Sequence, residues 1–166
     1  MKNILLLLLL IAAAPILKAE DKALGSYKIE VYREGKIRFS ERVSLTLSKE
    51  TAGSKLSDVN FVSSCTKLED GKIQNSYSTK SVGLAYQLVP FVRNSDGTIK
   101  LDYQVYFAEQ TGSGKSKVNE NICELDAPEF ITARQNAMLI IGKEPVVMFQ
   151  SNDLQIILTP AKSESF

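Results

Sequence analysis

Val82-Gly83-Leu84-Ala85-Tyr86-Gln87-Leu88-Val89-Pro90-Phe91-Val92 leads through Asn94-Ser95-Asp96-Gly97 into Thr98-Ile99-Lys100-Leu101-Asp102-Tyr103-Gln104-Val105-Tyr106-Phe107. Two apolar runs are joined by a turn whose Asp-Gly pair favours positive φ. In the return run Tyr103, Val105 and Phe107 share one face, while Tyr106 points the other way. A period of two marks a strand with one dry and one wet face. The segment reads as a β-hairpin, the strongest in the chain. Pro90 cannot donate a ladder hydrogen bond, so its strand should be an edge there or carry a bulge.

Working outward, the same pattern recurs. Tyr27, Ile29 and Val31 alternate with polar neighbours, Arg33-Glu34-Gly35-Lys36 turns the chain, and Ile37, Phe39, Val43, Leu45 and Leu47 follow. This predicts a hairpin with strands at about 26–33 and 36–48. Residues 49–58 are polar and read as a loop. Short strands are expected at 59–66 and 72–79, around the turn Glu69-Asp70-Gly71-Lys72. Residues 109–121, rich in Gly, Ser, Lys and Asn, read as an exposed mobile loop. The last third gives strands near 129–134, 137–142, 145–150 and 153–160, separated at Gly142-Lys143-Glu144-Pro145 and Gln150-Ser151-Asn152-Asp153. No window after the N-terminal segment holds a helical period. The expected fold class is all-β: an antiparallel sandwich or open barrel built from hairpins.

The chain begins with a different kind of signal. Lys2 precedes an apolar run from Ile4 to Ala14, and Pro15, Lys18 and Ala19 close it. A basic start, a short apolar centre and a small residue form the layout of a cleavable secretory signal peptide over residues 1–19. A spanning helix would need roughly 20 apolar residues. The mature part, residues 20–166, is long enough for one β domain, and no later stretch could span a bilayer as a helix. The expected location is periplasmic or secreted, in a bacterium. Without Lys2 and Lys18 the 20 basic residues become 18 against 19 acidic ones, a formal charge of −1. This near-neutral balance has no basic cluster to engage nucleic acid.

Cys65 and Cys123 are the only cysteines. In an oxidising compartment they are expected to form one disulfide. In the chain-entropy description, closing so long a loop is worth about 4 kcal/mol.

Catalytic chemistry finds little footing. With no His, the Ser-His-Asp and Cys-His arrangements are excluded, and a structural zinc site lacks ligands. Thr111-Gly112-Ser113-Gly114-Lys115-Ser116 resembles a phosphate-binding loop, but the first required glycine would fall at Glu109. Asp96, Asp102, Glu69, Asp70, Glu124, Asp126 and Glu129 sit mostly at turns or on wet strand faces. Glu124-Leu125-Asp126 is a mild acidic cluster without calcium-loop spacing. We expect no enzyme activity, no cofactor and no metal.

The aromatic residues of the central hairpin are the candidates for a surface. Tyr86, Pro90, Phe91, Tyr103 and Phe107 form the predicted ligand or partner patch, although core packing with a cross-strand pair accounts for the aromatic residues better. The run from Lys80 to Val92, followed by Asp96-Gly97-Thr98-Ile99-Lys100-Leu101-Asp102, resembles a segment of the bacterial secretin family. That family carries a Val-Gly, alternating strand, Pro, turn, Asp-Gly, strand run in its multimeric outer-membrane pore domain. The stretch from Thr132 through Leu139-Ile140-Ile141-Gly142-Lys143-Glu144-Pro145-Val146-Val147 echoes the hairpin that follows it. The resemblance, over about residues 80–147, implies a secretin-like β domain standing alone as an accessory piece of a secretion or pilus system.

Taken together, the expectation is a non-enzymatic exported β-sandwich acting through contact with an envelope protein. Its edge strands, near Pro90 or after Glu144, would accept a partner strand. Two alternatives are a small-ligand carrier, with a pocket between the sheets at Tyr86, Phe91, Tyr103 and Phe107, and a secreted protease inhibitor using residues 109–121.

Overall fold

A computed structural model of the chain describes residues 22–118 and 123–161. The predicted signal peptide lies outside them. The described chain is all-β, with eight strands: β1 Ala23–Arg33, β2 Lys36–Thr46, β3 Thr51–Lys67, β4 Ile73–Arg93, β5 Ile99–Val118, β6 Cys123–Ile141, β7 Val146–Gln150 and β8 Leu154–Pro160.

They form two antiparallel four-stranded sheets, ordered β2-β1-β8-β7 and β3-β4-β5-β6. The second sheet is a meander inserted between two hairpins, and β1 and β8 zip those hairpins into the first sheet. The result is a β-sandwich. Ile29, Val31, Val43, Leu45, Met148, Ile156 and Leu158 of one sheet meet Leu84, Leu88, Leu101, Tyr103, Val105 and Phe107 of the other. Ile29, Val31, Leu88, Leu101 and Ile156 are 0 % exposed. Burying a side chain of this size stabilises by about 1.5–3 kcal/mol.

The turns follow their local chemistry. Glu34 and Gly35 both take positive φ, 50° and 74°, as the two-residue β1–β2 hairpin requires. At the β4–β5 turn Gly97 has φ 87°. Its amide donates to the Asn94 oxygen at 3.0 Å, and the Asp96 carboxylate accepts from the Thr98 amide at 2.9 Å. The Thr98 amide and hydroxyl, both donating to it, hold the Asp96 carboxyl below its usual range.

Three stretches differ from the sequence expectation. Residues 49–58 are not a loop, because β3 begins at Thr51. Of the loop expected at 109–121, residues 109–118 are strand, because β5 runs to Val118; residues 119–121 lie outside the described set. The separate strands expected at 72–79 and 82–92 are one strand, β4, and those at 129–134 and 137–142 are one strand, β6. The reason is common to all three. Residues 51–58, 80–81, 109–117 and 135–136 contribute no side chain to the buried core, most of them where the sheet projects past the sandwich, so no apolar period marks them and their ladders hold them extended.

The projecting half of the second sheet closes on itself. Its edge strands β3 and β6 meet, joined by the disulfide between Cys65 and Cys123, 58 residues apart in sequence. Alongside it the Val62 amide donates to the Asp126 carboxylate at 2.7 Å. The rings of Phe61 and Phe130 lie 6.3 Å apart, and the Lys80 ammonium sits 4.7 Å from the centre of the Phe130 ring. The expected disulfide is therefore present, and it staples a small closed arm.

Candidate functional site

The five aromatic-patch residues divide between roles. Tyr103 and Phe107 are each 3 % exposed and belong to the sandwich core. The Tyr103 hydroxyl donates to the Met148 main-chain oxygen at 2.5 Å, tying β5 to β7 across the interior. Tyr86 is also buried, and its hydroxyl donates to Glu41 at 3.2 Å, tying β4 to β2. Burial first and the neighbouring Glu41 charge second push the Tyr86 hydroxyl up to about 12. Burial likewise raises Tyr103. Glu41 in turn pairs with Lys55 at 3.5 Å.

Pro90 is fully buried. Both sequence expectations for it hold together: the β4–β5 register shifts between Pro90 and Val92, and the β3 ladder stops at Leu88. Beyond that point the Pro90 carbonyl accepts from the Ser48 amide at 2.7 Å. β4 as a whole is nevertheless an interior strand, so the edge expected near Pro90 is limited to the strand's last residues and is already capped by Ser48. Phe91, at the bulge, is the one member of the set on the surface, 39 % exposed.

Residues opposite one another in an antiparallel ladder share a face. Rows Ala52–Gln87–Gln104–Asn136 and Ser54–Ala85–Tyr106–Arg134 therefore lie on the face turned away from the sandwich core. They floor a shallow trough of about 560 Å³. The Tyr106 hydroxyl is held by the Ser81 carbonyl at 2.9 Å. A second recess of similar volume opens between the sheets at Phe39, Lys55, Val82, Phe107 and Glu109. There Glu109 pairs with Arg33 at 3.3 Å and Arg38 at 3.7 Å.

The nucleotide-loop look-alike has no loop to offer. Gly112, Ser113, Gly114, Lys115 and Ser116 are strand residues laddered to Glu129, Pro128, Ala127, Asp126 and Leu125. The acidic cluster is engaged too: Glu124 pairs with Lys115 at 3.2 Å and Asp126 holds the Val62 amide. Both cysteines are in the disulfide, so the described chain has no free thiol.

The sheet edges differ in how they are guarded. Unpaired strand edges invite another strand, and proteins blunt them with charge, proline, bulges or brevity. β2 carries Lys36, Arg38, Glu41 and Arg42. β7 is the edge expected after Glu144; it is five residues long, follows Pro145 and shifts register between Val147 and Phe149. β3 is closed against β6 at the arm and bears Lys55 and Asp58 nearer the sandwich. β6 differs over residues 135–141, Gln-Asn-Ala-Met-Leu-Ile-Ile. This stretch has no charge, proline or register shift, and among the described residues its only ladder is to β5. Met138 and Ile140 stand 57 % and 54 % exposed beside it. Sequence reading missed this edge because it split β6 in two. The signal was the uncharged run itself.

Among the described residues no helix is long and apolar enough to cross a membrane. No protein-family model, curated protein or solved structure matches the chain.

Proposed function

We propose that the chain is an exported, non-enzymatic β module of the bacterial cell envelope that works by strand-to-strand contact with protein. The observation that carries this is the free β6 edge at residues 135–141, apolar and without the devices that guard the other edges. Main-chain hydrogen bonds to an added strand would supply affinity, and Met138 and Ile140 would supply apolar contact. The signal-peptide pattern at residues 1–19, the Cys65–Cys123 disulfide and the lack of His support export and a non-catalytic role. The resemblance of residues 80–147 to secretins supports a place in a secretion or pilus assembly.

A photo-crosslinking amino acid at position 138, in the full chain expressed in its source cell, tests this reading. A discrete protein adduct at 138 and none at exposed Tyr77 on the arm is the expected result. Equal labelling at both positions would overturn it.

The carrier reading keeps two observations in its favour, the recess between the sheets at Phe39, Val82 and Phe107 and the trough floored by Gln87, Gln104, Asn136 and Tyr106. That trough lies on the outer face rather than between the sheets. Native mass spectrometry of protein purified from its source would show a retained small molecule. The inhibitor reading loses its long loop to β5.

A further inference from the structure

We infer that the strand accepted by the β6 edge is β6 of a second copy of this chain, paired antiparallel about a two-fold axis through Leu139. The inference rests on the edge-contact reading above and names its partner.

In a symmetric antiparallel pair, opposed residues must have the same hydrogen-bonding phase, so the axis passes through a residue and not between two. An axis at Leu139 sets Met138 opposite the second copy's Ile140, twice over. The two most exposed apolar side chains of the edge, 57 % and 54 %, then cover each other on the outer face. On the other face Ala137 meets the second copy's Ile141. β6 ends at Ile141, so the core of the pairing is residues 137–141 of each copy, a stretch without charge.

Shifting the axis is worse. Centred on Met138, Ile140 would lie against Asn136; centred on Ile140, Met138 would lie against Gly142. Of the three, only the Leu139 axis sets the two exposed apolar side chains against each other. It would also fuse two four-stranded sheets into one continuous eight-stranded sheet, carrying the trough rows at Arg134 and Asn136 up to the joint.

A charge-swap series read by sedimentation velocity tests both partner and register. The signal-free chain, residues 20–166, should sediment as a dimer with a Kd of about 10 μM or tighter. The double variant Met138→Lys with Ile140→Lys sets Lys against Lys in this register and should weaken the dimer about 100-fold. Met138→Lys with Ile140→Glu sets Lys against Glu and should restore it. Both positions are exposed, and unchanged circular dichroism would confirm folding.

A dimer lost in both variants would overturn the Leu139 axis. A parent chain that stays monomeric at about 100 μM would overturn the second copy as partner. In that event a photo-crosslinked adduct at position 138 to a different protein would leave the edge-contact reading standing, and the absence of any adduct would remove both.

Discussion

The Tyr103 hydroxyl reaches across the sandwich to the main-chain oxygen of Met148 at 2.5 Å. Tyr103 is 3 % exposed and Met148 is 3 % exposed, so neither end can exchange this bond for water. β7 is short and lies at a sheet edge, and this bond is a fixed point that ties it to the opposite sheet. Tyr103→Phe removes the donor and strands a buried carbonyl. We expect a loss of about 1–3 kcal/mol of stability, measured by urea unfolding, with faster amide exchange concentrated in β7.

Tyr86 gives a pH signature. Its hydroxyl is pushed from 10.0 to about 12, by burial and then by Glu41. The folded state therefore holds this proton to higher pH than the unfolded state does. The stability from this group is complete below pH 10 and is lost as pH rises through 12. Urea midpoints should fall over that interval, and Tyr86→Phe should flatten the fall. An equally steep decline in the variant would assign it elsewhere.

Reduction of Cys65–Cys123 should act locally. The cross-link holds β3 to β6 only at the arm, while the sandwich core stands on its own apolar contacts. Replacing both cysteines with Ser should cost about 2–4 kcal/mol. Hydrogen exchange should rise first at residues 60–65 and 123–130 and leave Ile29, Leu101 and Ile156 protected.

Gly83 is held at φ +120°, and a Cβ there would overlap the Lys55 carbonyl. The neighbour is backbone and cannot swing aside. Gly83→Ala combines an unfavourable dihedral with a collision inside the β3–β4 ladder, and should cost about 3 kcal/mol. Gly35 also has positive φ but meets nothing within 4 Å, so Gly35→Ala should cost about 1 kcal/mol. Thermal unfolding of the two variants gives the comparison.

What could be read in the sequence follows burial. The hairpin through Asp96-Gly97 was legible because Leu101, Tyr103, Val105 and Phe107 pack against the other sheet and so must alternate with polar residues. The first hairpin was legible for the same reason at Ile29 and Val31. Ser57-Asp58 and Ser113-Gly114-Lys115 were illegible as strands because nothing apolar covers either face of them. Their extended state comes from partners far along the chain, such as Asp58 opposite Ser81 and Lys115 opposite Asp126. The disulfide could be read from compartment and cysteine count, but its place at the meeting of two edge strands could not. Tyr86 and Tyr103 carried the right apolar pattern, but the hydroxyl partners that make them cross-ties sit 45 residues away in each case.

The β5–β6 ribbon pairs from Ile99 opposite Ile141 to Val118 opposite Cys123, with one register shift between Gln110 and Gly112. Pulled lengthwise from opposite ends, its two strands would have to slide past each other, shearing many rungs simultaneously instead of unzipping them singly. Such a ribbon resists stretching far better than a short hairpin does, so under load the turns and the five-residue β7 would yield before it.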